Sequence, residues 1–429
     1  MSEFTYRNGE LFVEDVPLND IASTHGTPAY VYSRKAIVDA YREFAGARSA
    51  HKLTVCYAIK ANSNLGVLDC LAREGAGFDI VSGGELARVL AAGGSGESIV
   101  FSGVGKSHDE IRMALEAGVR CFNVESEPEL HRISDIAAQM RRVASISIRV
   151  NPDVDAGTHP YISTGLRENK FGIAHEQAVR VYQIAAQLPG IKISGIDCHI
   201  GSQITELAPF LAALDKLIEL IRTLATHNIE LDHIDLGGGL GIPYEGESVP
   251  ARSSLIEAIS NRLIEQLGDE STRYELMFEF GRSMVAGAGV LLTRVEYLKP
   301  TEAKNFAIVD AAMNDLLRPS LYDAFHRVDP VKSGQANADT QAKTKTLIWD
   351  LVGPVCESGD WLAKNCELAL AEGDLLAIAN TGAYGMVMAS NYNSRTRPVE
   401  LMVDGATVHV VRERESVQSL MSGESRLTG

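Results

Sequence analysis

LTVCYAI (53–59) is the first of eight short apolar runs that decide the fold; GFDIVS (77–82), SIVFSG (98–103), CFNVES (121–126), SISIRV (145–150), ISGIDCHIG (193–201), HIDLGGG (233–239) and ELMFEFG (275–281) follow. Most close on Gly, Ser or a charged residue, as strands buried on both faces do where they emerge from a sheet. Between them lie amphipathic stretches of helical period: NLGVLDCLAREGA (64–76), SHDEIRMALEAG (107–118) and the long ELAPFLAALDKLIELIRTLATHN (206–228). Another, RKAIVDAYREFAGARSA (34–50), precedes the first run. Eight βα units in about 250 residues predict a (β/α)8 TIM-type barrel rather than an open doubly wound sheet, which usually stops at five or six strands.

Outside residues 34–285 the pattern changes. VLLTRVEYL, FAIVDAAM, KTLIWDLVGPV, DLLAIANTG, VELMVDG and TVHVVRE predict a mainly β domain over 286–429. LFVEDVPL and PAYVYS (28–33) have strand character, so residues 1–33 are expected to join it. The polar stretch HRVDPVKSGQANADTQAKTK (326–345) reads as a loop of that domain.

The 429 residues are 45% hydrophobic and 22% charged, the balance of a water-soluble globular chain with a sizeable core. A formal charge of -16 argues against nucleic acid and anionic membranes, whose phosphates need clustered Lys and Arg. No secretory signal or bilayer-length apolar segment is evident, so a cytoplasmic protein is expected. Six cysteines without a CxxC pair fit neither a disulfide scaffold nor structural zinc, and no two-histidine spacing supports a catalytic metal.

A barrel carries its chemistry at the C-terminal ends of its strands. The residues falling there are Lys60, Asp79, Ser82, Glu125, Asn151, His199 with Ser202, Gly237 to Gly239, and Glu279 with Arg282. Lys60 directly follows an apolar run, where desolvation and nearby cations would favour a neutral, nucleophilic amine; by position alone an ordinary surface lysine is as good a reading. DLGGGLGIPY (235–244) offers backbone N–H groups that an anion can approach closely, and Ser202 with Arg282 would complete a phosphate cup. Glu279 could hold a pyridine nitrogen protonated or simply pair with an arginine. His199 and Cys356, each taken singly, are as compatible with structural as with catalytic roles.

Six co-linear segments, YAIKAN (57–62), HIGSQI (199–204), GGGLGIPY (237–244), MNDLLRPSLY (313–322), GPVCESGD (353–360) and AYGMVMASNYN (383–393), resemble the fold-type III pyridoxal-phosphate-dependent decarboxylases, in particular the branch acting on diaminopimelate. The resemblance runs from about residue 5 to 420. It implies pyridoxal 5'-phosphate as cofactor, meso-2,6-diaminopimelate as substrate, L-lysine and CO2 as products, and a homodimer with shared active sites. Lys60 looks like the Schiff-base lysine, Asp79 and His199 like the residues holding the ring, and Glu279 like the partner of its nitrogen. Ser202, Gly238, Gly239 and Gly281 look like the phosphate site, with Tyr384 closing it. Arg282, Arg318 and Tyr322 look like the grip on the distal carboxylate, and Glu357 like the partner of the distal amine. Cys356 looks like the acid that protonates the product carbanion, brought in across the dimer interface. THPYISTGLRENKFGI (158–173) is similar to a segment lying near the site.

One position departs from the family pattern: Phe280 stands where proline is usual, between Glu279 and Gly281-Arg282. It adds an N–H and is expected to put a large ring beside the phosphate loop. Within the superfamily, decarboxylases of ornithine, lysine or arginine are the nearest rivals, but an arginine in RPSLY would repel their cationic tails. An alanine racemase would be shorter and lack the Cys356 motif. A non-catalytic relative would have no need of both Lys60 and Cys356.

Overall fold

The computed structural model describes residues 3–154, 170–333 and 345–427, so most of the 158–173 segment and the middle of the 326–345 stretch lie outside the described residues. The chain divides into two compact units, Val38–Pro243 with Glu247–Met284, and Met1–Ile37 with Tyr244–Gly246 and Val285–Gly429.

The first unit is the barrel. Its strands are Leu53–Ala58, Gly77–Ile80, Ile99–Phe101, Cys121–Val124, Ala144–Asn151, Ile191–Asp197, His233–Asp235 and Glu275–Phe280, all paired in parallel. The ring closes where the eighth strand pairs with the first, Glu279 opposite Cys56. All eight apolar runs thus become barrel strands. The helices Leu65–Arg73, Gly83–Ala91, His108–Ala117 and Glu127–Gln139 each begin after an Asn or Ser whose side chain accepts an orphan N–H of the first turn. Ser107 and Glu110 form a reciprocal capping box at the start of His108–Ala117, and Gly118 ends that helix at φ 68° in the left-handed region.

Alternation along the eighth strand separates structure from chemistry. Phe278 and Phe280 share one face, their rings 5.3 Å apart and nearly parallel. Phe280 then stacks on Phe44 of the helix Arg34–Ala45, with centroids 3.9 Å apart. The Phe280 ring is therefore packed between strand and helix and not laid beside the phosphate loop as the sequence suggested. Its complete burial stabilises the shell by about 2–3 kcal/mol. Glu279, between the two, faces the other way.

The second unit is mainly β. Gly289–Pro300 runs through a sheet between Asn305–Val309 and Ala29–Ser33, and Ala29–Ser33 pairs in parallel with Val399–Asp404. The N-terminal strands do join this unit: Leu11, Val13 and Val31 share one apolar core with Leu292, Ala377 and Leu401. Among the described residues no helix is long and apolar enough to cross a membrane. Four of the six cysteines are buried, as small hydrophobes are, whereas Cys356 is exposed.

Candidate active site

Lys60 lies in a single turn, Ile59–Ala61, directly after the first barrel strand, between two fully buried neighbours. Its Nζ donates to Asp79 Oδ2 at 2.6 Å. Asp79, on the second strand, is completely buried, and its Oδ1 has no hydrogen-bond partner among the described residues. A carboxylate this close opposes the neutral amine that desolvation alone would favour.

Across the barrel Glu279 Oε1 accepts from Asn123 Nδ2 at 3.0 Å and Ser102 Oγ at 3.3 Å. Carboxylate oxygens of Glu279, Asp235 and Asp197, from three adjacent strands, lie within 4.8 Å of one another. Burial, then repulsion from Asp79, Asp235 and Asp197, pushes the Glu279 carboxyl well above its usual range. Burial likewise raises Asp235 to about 7, against the stabilising N–H of Gly237. Asp235 Oδ2 and Asp197 Oδ1 are buried without partners among the described residues. Such a concentration of buried acid needs either protons or a cationic guest. A ring whose basic nitrogen is protonated would fit it.

Beside this cluster the glycine run forms a cradle. Gly237 and Gly239 have φ of 62° and 105°, and a Cβ at Gly238 would come within 2.1 Å of the Glu279 carbonyl oxygen. Only glycine lets the three strand ends close so tightly. Gly238 N donates to His199 Nδ1 at 3.1 Å, so that nitrogen is unprotonated. Burial, with Arg149 and Lys60 nearby, holds the His199 imidazole neutral by lowering it well below its usual range. Arg282, itself buried, donates through Nη2 and Nε to Ser202 Oγ at 3.0 and 3.3 Å. A Cβ on Gly281 would press on Ala61 and the Ala58 carbonyl, so the backbone there stays close to the Lys60 turn. Lys60, Asp79, His199, Ser202, Gly238, Gly239, Glu279, Gly281 and Arg282 thus all belong to the same end of the barrel.

The remaining candidates belong to the second unit. Arg318 and Tyr322 sit one turn apart on the short helix Arg318–Tyr322. Arg318 is buried, 4.8 Å from the centre of the Tyr244 ring. Tyr384 is half-buried at a strained φ of 55°. The turn carrying Cys356 and Glu357 is pinned by Asp360, whose carboxylate accepts from Val355 N at 2.7 Å and Met313 N at 2.6 Å. Cys356 and Glu357 are both exposed on it. Asn393 Oδ1 accepts from Cys356 N at 3.0 Å, and the Tyr392 hydroxyl donates to Glu357 at 3.2 Å.

Two residues read from the sequence as parts of the polar ring have structural duties. Ser82 caps the helix Gly83–Ala91, and Glu125 pairs with Arg149 at 2.8 Å while accepting from the Gly103 and Gly172 N–H groups. Asp197, Asp235, Asn123 and Ser102 join the site without having stood out in the sequence. All four lie at or next to the C-terminal ends of barrel strands, which was the available signal.

Residues 34–286 match the family model of the pyridoxal-dependent decarboxylase pyridoxal-binding domain. The diaminopimelate decarboxylase of Pseudomonas aeruginosa is 57% identical over 427 residues, spanning 100% of both chains. The structure of diaminopimelate decarboxylase from Helicobacter pylori complexed with L-lysine is 41% identical and superposes with a TM-score of 0.87, covering 94% of this chain and 98% of that one. The diaminopimelate decarboxylase from M. jannaschii, also in complex with L-lysine, gives a TM-score of 0.92 at 36% identity over 99% and 98% of the two chains.

Proposed function

The chain belongs to the pyridoxal-dependent decarboxylases, in the diaminopimelate decarboxylase family, and from that membership we infer that it converts meso-2,6-diaminopimelate to L-lysine and CO2, the last step of lysine biosynthesis. The observation that carries the chemistry is the pairing of Lys60 on Asp79 with the buried Glu279, Asp235 and Asp197 carboxyls in one barrel mouth.

Pyridoxal 5'-phosphate, when bound, supplies an electron sink for the pair left behind as CO2 departs. Lys60 Nζ is the amine that would hold its carbonyl. Glu279 would keep a proton on the ring nitrogen, which is the cation the carboxyl cluster calls for. The neutral His199 and Asp79 would fix the ring, His199 bringing no competing charge. Gly238, Gly239, the Gly281 backbone, Ser202 and Arg282 would bind the phosphate, with Tyr384 closing over it. Arg282, Arg318, Tyr322 and Tyr384 would take the distal carboxylate, and Glu357 the distal amine. Holding both ends of the substrate directs one carboxylate, and not the other, into the position from which it leaves. Cys356 Sγ would then deliver a proton to the α-carbon.

Residues 34–285 serve in this reading as the cofactor-binding domain, and 1–33 with 286–429 supply substrate and interface residues. The exposure of Cys356 and Glu357 supports a homodimer in which that turn completes the partner subunit's site. A cytoplasmic location belongs to the same reading.

The decisive assay is CO2 release by the pyridoxal-phosphate-loaded protein from meso-diaminopimelate beside L-lysine, L-ornithine and L-arginine. Release from meso-diaminopimelate alone, with an equal amount of L-lysine formed, is the expected result. Release only from a cationic amino acid would overturn the assignment of Arg318.

The cradle gives a separate prediction. Gly238→Ala forces the Glu279 carbonyl or the loop to move, because 2.1 Å is far inside contact distance. Cofactor affinity, followed by fluorescence titration of the apoprotein with pyridoxal phosphate, should fall about 10- to 100-fold, an effect of roughly 1.4–2.8 kcal/mol. Unchanged affinity would remove the glycine run from the phosphate site.

A further inference from the structure

Arg318 is oriented by two residues that the assigned chemistry does not use. His326, almost fully buried, places Nε2 2.8 Å from Arg318 Nη1 and Nδ1 2.8 Å from the Ala379 carbonyl oxygen. A carbonyl only accepts and a guanidinium only donates, so the tautomer is determined: Nδ1 carries the proton and Nε2 is the acceptor. The Tyr244 ring meets the His326 ring edge-on, centroids 5.5 Å apart at 81°, and offers its face to the guanidinium at 4.8 Å. All these residues belong to the same unit.

The chemistry of the two supports distinguishes them from an ordinary ion pair. A carboxylate in the place of His326 would orient the guanidinium but also cancel its charge and compete with an anionic ligand. A neutral imidazole and a π face orient it without themselves bringing a negative charge against it. We propose that His326, supported by Tyr244, is a positioning residue for substrate selection: its Nε2 fixes the direction in which Arg318 meets the distal carboxylate. The proposal rests on the reading of Arg318 as the distal-carboxylate grip.

The distal carboxylate survives the reaction as the carboxylate of L-lysine, whereas cadaverine has none. Binding of these two ligands to the pyridoxal-phosphate holoenzyme, measured by calorimetry, therefore reads the grip without turnover. Glutamine places an acceptor near the position of a histidine Nε2, and asparagine places a donor near that of Nδ1. Positioning of Arg318 predicts that His326→Asn and His326→Leu weaken L-lysine binding about tenfold or more, while His326→Gln stays within about threefold. Cadaverine affinity should be unchanged in all three, which also reports that they fold. In steady state the Asn and Leu variants should raise KM for meso-diaminopimelate more than they lower kcat.

If Asn retains L-lysine affinity and Gln loses it, His326 serves only the Ala379 carbonyl and the proposal falls. Arg318→Met separates premise from inference. It should weaken L-lysine about 100-fold; no loss there removes the Arg318 reading and the proposal with it. Loss in Arg318→Met with none in any His326 variant removes the proposal alone.

Discussion

Replacing Lys60 with alanine should abolish CO2 release from meso-diaminopimelate, lowering kcat/KM by at least about 10³-fold, because no other amine at the barrel mouth is assigned to hold the cofactor carbonyl. The fold should survive, since the turn Ile59–Ala61 is held by its buried flanking residues and the Lys60 side chain is 38% exposed. A second consequence follows from Asp79, which is wholly buried and loses the ammonium 2.6 Å away. Lys60 is among the charges that oppose the rise of the Glu279 carboxyl, so that carboxyl rises further without it. A carboxyl raised in the folded state contributes stability below its ordinary value and loses it as pH rises, for Asp235 through about 7. The apoprotein of the alanine variant should therefore melt lower than wild type at neutral pH, and the difference should shrink toward pH 4. Lys60→Arg retains the charge against Asp79 and should recover the stability but not the activity. Borohydride reduction of the loaded protein should attach the cofactor to the Lys60 peptide in wild type and to no peptide in either variant. Wild-type turnover by Lys60→Ala would sink the assignment.

What could be read from the sequence was location along the chain. Strands of a parallel barrel are buried on both faces, so LTVCYAI and its seven counterparts declare themselves as apolar runs with polar ends, and those ends mark the chemical face. Direction was harder. Ser82 and Glu125 stand at strand ends as Lys60 and Glu279 do, yet one caps a helix and the other serves Arg149 and two backbone N–H groups. Phe280 illustrates the same limit: its place beside Gly281 suggested a ring over the phosphate loop, but a period of two sends it outward onto Phe44. Asp235 stood in plain view within HIDLGGG, and its role in the carboxyl cluster depends on Asp197 and Glu279, which only the closed barrel brings near. His326 opens a stretch read as loop, although Val328–Pro330 within it pairs as a short strand with Leu375–Ile378. Its meaning lies in the tautomer that Arg318 and the Ala379 carbonyl impose on it, and spacing carries no trace of that.

Cys356→Ala should lower L-lysine formation about 10²- to 10³-fold, as loss of a positioned general acid does, with cofactor binding intact because Cys356 has no part among the residues assigned to hold the cofactor. The turn itself should not collapse, since Asp360 holds it through the Val355 and Met313 N–H groups and Asn393 accepts from the Cys356 backbone N–H, which the substitution keeps. The informative experiment is to combine this variant with Lys60→Ala after subunit exchange. If Cys356 of the partner subunit completes each site, a mixed dimer holds one site with both lesions and one with neither. Random pairing makes half the dimers mixed, so the mixture of two inactive proteins should recover about a quarter of wild-type activity. If Cys356 instead serves the Lys60 of its own chain, every site in every dimer keeps one lesion and the mixture stays inactive. That outcome would leave the barrel chemistry untouched and refute the shared active site, which is why the mixture, and not either variant alone, tests what an exposed cysteine on a pinned turn is for.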